Sequence, residues 1–260
     1  MEGMNGRQGK FTGVGVGPGD PELLTLKAVR AIEACGAAAV PVSDPALADP
    51  FYAEPAEIGQ TEQKYLDGCA AYQIAVQAVP ALRGKAVLFL PMPMIKDKKR
   101  LKEIHDRDAE KTAEILEEGK RVVFLTLGDP AVYSTCMYVH QRLKQSGYRT
   151  ELIPGIPSFC AAAARMDIPL VENRQELHIL PASYELGESL RLPGTKVLMK
   201  SGRKLAQVKE QISGTQEAWM VVNCGMKGEQ TYQGAENMPD EAGYYSLLVV
   251  KEKKSGGRIG

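Results

Sequence analysis

Residues 11–25 read F-T-G-V-G-V-G-P-G-D-P-E-L-L-T, a short apolar run broken by glycines, then a proline turn, then the approach to a helix. That layout ends a strand in bare backbone, where a polar ligand can come close. A dinucleotide fingerprint needs glycines at its first, third and sixth positions. Counted from Gly13 the sixth position is Pro18, and counted from Gly15 it is Asp20. Proline offers no N–H to a phosphate and Asp20 repels one. No Walker lysine follows the glycines. Gly17-Pro18-Gly19-Asp20 therefore suits a cofactor that is cationic or free of phosphate. A tight turn with a helix-capping aspartate is the equally open alternative.

Outward from this stretch, strand-like apolar runs alternate with helix-like periodic segments. Strands are expected at residues 11–16, 37–42, 85–90 and 121–127, and helices at 25–35, 66–82 and 97–118. Such alternation predicts an α/β fold with a mostly parallel first sheet. Beyond Gly128 a helix at 134–145, a strand at 150–153 and a helix at 158–165 follow. Close-spaced strands then come at 177–180, 196–199, 219–223, 230–233 and 244–250, with one clear helix at 205–212, which predicts a mixed second sheet. The expected division is residues 1–127, 128–250 and a charged, glycine-rich tail at 251–260 that is expected to be disordered.

The 260 residues carry 32 Lys plus Arg against 32 Asp plus Glu, so no bulk charge points to nucleic acid or a membrane surface. No segment has the length and purity of a membrane span, and the polar start is unlike a signal peptide. Five scattered cysteines without C-x-x-C spacing read as buried, reduced thiols of a cytoplasmic protein, not as disulfides or a zinc site. His105, His140 and His178 share no spacing that suggests a metal or a catalytic triad, so each reads as packing or surface.

Three more segments end a strand in glycine, proline and polar groups. In L-G-D-P-A-V-Y-S-T, Asp129 follows an apolar strand, at the end where open α/β sheets bind ligands; capping the next helix is its bland alternative. In I-P-G-I-P-S-F-C the helix from Ser158 is lined by four alanines, which admit a flat ligand or a closely packed backbone. In V-L-M-K an apolar strand ends at Lys200, a solvated end or an anion contact. The basic run Lys96, Lys98, Lys99, Arg100, Lys102 reads as a solvated face unless the substrate is rich in carboxylates.

Taken together, G-V-G-P-G-D-P-E-L-L-T-L-K-A, F-L-T-L-G-D-P-A-V-Y-S-T and P-G-I-P-S-F-C-A-A-A-A, in this order, resemble the tetrapyrrole methylase family over nearly the whole chain. The finer text, with S-L-L-V-V-K, is similar to the branch acting at carbon 20 of precorrin-2 or cobalt-precorrin-2 in cobalamin biosynthesis. The resemblance implies a class III methyltransferase-like homodimer of two αβα domains, with S-adenosylmethionine in a cleft between them. It implies cofactor contacts from Pro18, Gly128, Asp129, Val132, Ser158, Phe159 and Met199, with Asn223, Ser246 and Leu247 on the last strands. A tetrapyrrole with many carboxylates gives Lys96, Lys98, Arg100, Arg165, Arg174 and Lys200 a role as its partners. A proton must leave the methylated carbon, and Asp20 and Tyr133 are the candidates to take it. The loop at 90–96 and His105 depart from the branch pattern on the tetrapyrrole side. The rival readings are a methylase of another ring carbon or of uroporphyrinogen III, a nicotinamide dehydrogenase, and a non-catalytic nucleotide-binding module.

Overall fold

The computed structural model describes residues 9–181, 186–212 and 214–253. Two compact units result, one ending at Pro157 and the other starting at Ser158. The expected boundary lay at Gly128. The division comes later because the segment after Gly128 returns a strand to the first sheet instead of opening the second.

The first unit holds β1 Lys10–Gly15, α1 Leu26–Glu33, β2 Ala37–Val42, β3 Phe51–Ala53, α2 Gln60–Gly68 and α3 Ala70–Ala78. It continues with β4 Ala86–Pro91, α4 Lys98–Glu117, β5 Arg121–Thr126, α5 Cys136–Gln145 and β6 Arg149–Ile153. The sheet order is β3-β4-β2-β5-β1-β6, with only β3 antiparallel. Its central strands are buried on both faces, which explains their unbroken apolar text. Phe11, Leu88, Leu90 and Phe124 meet Leu116, Val139 and Leu143 in one core, each such side chain contributing about 1.5–3 kcal/mol by burial.

Local chemistry sets the helix ends. Thr25 and Asp97 cap α1 and α4 by accepting backbone N–H bonds, at Ala28 and at Lys99 and Arg100. The single helix expected at 66–82 is instead α2, a break at Cys69 with extended backbone, α3, and a 3-10 turn at Pro80–Gly84. Gly68 weakens the helix there and Pro80 cannot continue it. The short strand β3 and the start of α2 at Gln60 lay outside the periodic text.

The second unit holds α6 Ser158–Arg165, β7 Leu177–Pro181, α7 Leu186–Leu190, β8 Thr195–Met199 and α8 Leu205–Gln211, then β9 Gln216–Val222, β10 Gln230–Gln233 and β11 Ser246–Glu252. Its order is β10-β9-β11-β8-β7, and only β7 and β8 run parallel. Leu198, Met220, Leu248 and Val250 pack against Leu205 and Val208 of α8. Of the expected tail, Lys251 and Glu252 belong to β11, and residues 254–260 lie outside the described residues.

Candidate functional site

In the first unit the strands β5, β1 and β6 lie side by side, and their carboxyl ends carry three of the segments singled out in the sequence. The loops are tied to one another. Gly17 and Gly128 exchange N–H···O bonds of 3.3 and 2.8 Å in an isolated antiparallel bridge. Both have positive φ, +75° and +71°, a region that glycine enters without penalty. Asp129 Oδ1 accepts from the Ala131 N–H at 2.8 Å and Oδ2 accepts from the Gly155 N–H at 3.0 Å. The carboxylate thus both starts its own turn and clips the β6 loop to the β5 loop.

The glycines serve this interlock. A Cβ on Gly155 would lie 2.1 Å from the Gly128 carbonyl oxygen, and one on Gly15 would lie 2.5 Å from the Gly155 nitrogen. The sequence reading offered this bare backbone to a ligand. At Gly15 and Gly155 the structure corrects it, because the backbone that approaches is another loop of the same unit.

Around the interlock, Pro18 is buried and Val132 half-buried. Asp20 Oδ1 accepts from the Glu22 N–H at 2.8 Å and caps the 3-10 turn Pro21–Leu23, so the capping alternative holds, while Oδ2 makes no hydrogen bond among the described residues. Tyr133 is exposed and sits at φ +48°, a strained conformation for an aromatic residue. Thr126 and Ser134 share a hydroxyl–hydroxyl bond of 2.7 Å beneath it.

In the second unit the remaining strand-end residues converge on one edge. Antiparallel register sets Leu247 opposite Met199 on β8 and Ser246 opposite Val222 on β9. The β9 end continues to Asn223, whose N–H donates to the Tyr245 carbonyl at 2.8 Å. Lys200 and Asn223, the residues just past β8 and β9, both adopt left-handed backbone at φ +61° and +52°. Two such non-glycine residues, at the ends of the two strands that flank β11, hold local strain where ligand sites commonly store it. Lys200 is exposed, with its ammonium 5.2 Å from the Tyr244 ring centre. Ser246 is buried and donates to the Gly243 carbonyl at 2.8 Å.

Ser201 was missed from the sequence. It is 1 % exposed and its Oγ has no hydrogen-bond partner among the described residues. A buried hydroxyl without a partner costs about 1–3 kcal/mol, so one at the end of β8 fits a site completed by a polar ligand. Its only sequence signal was its place directly after V-L-M-K. Ser158 opens α6 half-buried, and Phe159 is buried beside it.

The candidate carboxylate partners divide. Among the described residues the side chains of Lys96, Lys98, Lys99 and Arg100 make no ion pair, whereas Lys102 pairs with Asp106 at 2.9 Å. Arg165 is committed to Glu229, whose other oxygen accepts from the Gly225 N–H. Arg174 is exposed. All five cysteines are free; Cys35, Cys69 and Cys136 are buried as expected, but Cys160 is exposed on α6. Burial pushes the Cys35 and Cys69 thiols up to about 11. His105 stacks on Tyr138 and His140 lies against Phe11, in the packing roles read for them. Among the described residues no group of three metal-binding side chains occurs, and no helix is long and apolar enough to cross a membrane.

Loops gathered at the carboxyl ends of parallel strands stand where open α/β sheets carry small-molecule sites, and relatives define the class. Residues 10–237 match the Tetrapyrrole (Corrin/Porphyrin) Methylases, and the chain belongs to that family. It is 36% identical over 260 residues to the "Probable cobalt-precorrin-2 C(20)-methyltransferase" of Methanocaldococcus jannaschii, covering 96% of this chain and 100% of that one. It is 30% identical to the precorrin-2 C(20)-methyltransferase of a Sinorhizobium species, over 93% of this chain and 95% of that one. Among solved structures, the uroporphyrin-III C-methyl transferase of Thermus thermophilus, complexed with S-adenosylhomocysteine, superposes with a TM-score of 0.58 at 18% identity, covering 94% of this chain and 98% of that one.

Proposed function

We propose that this methylase transfers a methyl group from S-adenosylmethionine to carbon 20 of precorrin-2 or cobalt-precorrin-2 in cobalamin biosynthesis. The observation that carries the reading is the 30–36% identity, over 93–96% of the chain, to relatives named for that ring position. The residues assigned to the donor are Pro18, Gly128, Asp129, Val132, Ser158, Phe159, Met199, Asn223, Ser246 and Leu247, and Ser201 joins them as a hydroxyl in need of a partner. When bound, the donor supplies an electrophilic sulfonium methyl.

The protein's own work is positioning and desolvation, which can contribute roughly 7–11 kcal/mol toward the barrier when reactants are held in line. The proton on the methylated carbon needs an acceptor. Asp20 keeps one carboxylate oxygen available beyond its capping bond, and Tyr133 presents a phenol; both are proposed for that step. Lys96, Lys98, Arg100, Arg174 and Lys200 are proposed to meet the ring carboxylates. Arg165 can do so by exchanging its ion pair with Glu229. A homodimer in the cytoplasm completes the proposal, on the strength of the family resemblance alone.

The test is label mapping. Incubation of precorrin-2 with methyl-labelled S-adenosylmethionine should place the label on carbon 20 by NMR. Label on another ring carbon sinks the position, and binding of NADH in place of S-adenosylhomocysteine by calorimetry sinks the class. Parallel runs with metal-free and cobalt-loaded substrate decide which form is used.

A further inference from the structure

At the amino ends of the same parallel strands, opposite the interlocked loops, the sheet carries a row of cations. The register places Lys10 of β1 directly beside Arg121 of β5 and Arg149 of β6. Residues paired across parallel strands point to one face, so three positive side chains stand about 4.8 Å apart, strand by strand. Like charges directly opposite each other destabilise a sheet. Lys10 shares Glu151 with Lys27. Arg121 and Arg149 have no ion pair among the described residues, nor does Arg30, which α1 adds to the same groove.

The groove still carries a cationic excess, with Lys10, Lys27, Arg30, Arg121 and Arg149 against Glu117, Glu118 and Glu151, and Glu117 keeps its charge. Glu117 accepts from the Tyr148 hydroxyl at 2.6 Å, and Glu118 pairs with Lys120 at 3.1 Å. The groove measures about 970 Å³, large enough for a small ligand, and no aromatic side chain lines it among the described residues. A base or a porphyrin ring would find no stacking platform there. Arginine forks match phosphate oxygens in bidentate pairs.

We propose that this groove is a second, non-catalytic site for a polyphosphate anion, held by Arg30, Arg121 and Arg149. A chain of two or three phosphates relieves the repulsion along the row and stabilises the first unit. The site is independent of the methyl-donor assignment, since it lies at the opposite end of the strands.

The test uses the full chain, with pyrophosphate and tripolyphosphate as probes in calorimetry and thermal melting at about 0.1 M salt. Binding is expected to weaken about tenfold for each of Arg121→Ala and Arg149→Ala. Without the anion both variants should melt at or above the parent temperature, because the row has lost a repulsive charge, and S-adenosylhomocysteine binding should be unchanged. Stabilisation equalled by sodium chloride at matched ionic strength overturns the proposal. So does binding that survives the double variant, or ATP binding tenfold tighter than tripolyphosphate, which would assign the groove to a nucleotide.

Discussion

Asp108 on α4 gives the sharpest test of how this fold is held together. Its side chain is fully buried, and neither carboxylate oxygen has a hydrogen-bond partner among the described residues. Burial pushes its pKa from 3.8 to about 8, although Arg107 and Arg142 pull it partly back. Below about pH 4 both folded and unfolded chains carry the proton. Between about pH 4 and 8 the unfolded chain has released it and the folded chain has not, so stability falls by about 1.4 kcal/mol per pH unit. Above pH 8 the loss is complete. Four units give an upper bound of about 5–6 kcal/mol, and relaxation around the buried charge leaves several.

Asp108→Asn keeps the shape and removes the titration. The variant should match the parent near pH 4 and exceed it increasingly toward pH 8.5. A gain of about 3 kcal/mol corresponds to roughly 6–12 °C in melting temperature for a chain of this size. Urea unfolding at half-unit pH steps reads the difference directly. His105, stacked on Tyr138, and Asp106, paired with Lys102 and Arg142, titrate in both proteins and cancel. Parallel stability curves for the two proteins between pH 5 and 8 would refute the reasoning, because they would mean Asp108 is already ionised in the folded chain.

The other predictions concern the site. Gly155→Ala should cost about 3 kcal/mol or more and abolish S-adenosylhomocysteine binding, since its methyl would meet the Gly128 carbonyl and the Gly15 backbone at 2.1–2.8 Å; melting and calorimetry check both. Asp129→Ala should cost about 1.5–3 kcal/mol by stranding the Gly155 N–H, and Asp129→Asn should recover part of it, both read by urea unfolding. Charge reversal at Lys98 and Arg100, which make no ion pair among the described residues, should raise the tetrapyrrole KM and leave S-adenosylhomocysteine affinity near normal. Equal loss of both affinities counts against the substrate assignment.

The sequence made the first sheet legible because its strands are buried on both faces and bounded by glycine and proline. β2 and β10 match their expected spans, as does α6. The break at Cys69 was illegible, since Leu66 and Tyr72 are apolar on both sides of it and nothing local but Gly68 marks the change. The boundary at Gly128 failed for a long-range reason. Whether residues 149–153 pair with β1 or open a new sheet depends on a neighbour more than a hundred residues earlier in the chain. In the site, strand-end residues were readable by position, but Ser201 was not, because an unsatisfied hydroxyl is a property of its surroundings.

Why Gly17, Gly128 and Gly155 do not make a phosphate cradle follows from their hydrogen bonds. A pyrophosphate site works by aiming unsatisfied backbone N–H groups at the ligand from the start of a helix. Here the Gly17 and Gly128 N–H groups donate to each other's carbonyls, and the Gly155 N–H donates to Asp129. Three of the donors a phosphate would need are spent on tying β1, β5 and β6 together. Pro18 has no N–H to give, and Asp20 spends an acceptor on the turn below it. Asp20 adds a carboxylate with one oxygen beyond its capping bond to these loops, a charge that suits a cation better than an anion. Opening the interlock with Asp129→Ala should free the Ala131 and Gly155 N–H groups without creating NADH affinity, because the Gly17 and Gly128 donors stay paired with each other and Pro18 has none. Acquired NADH binding in that variant would show that the glycines are a masked dinucleotide site.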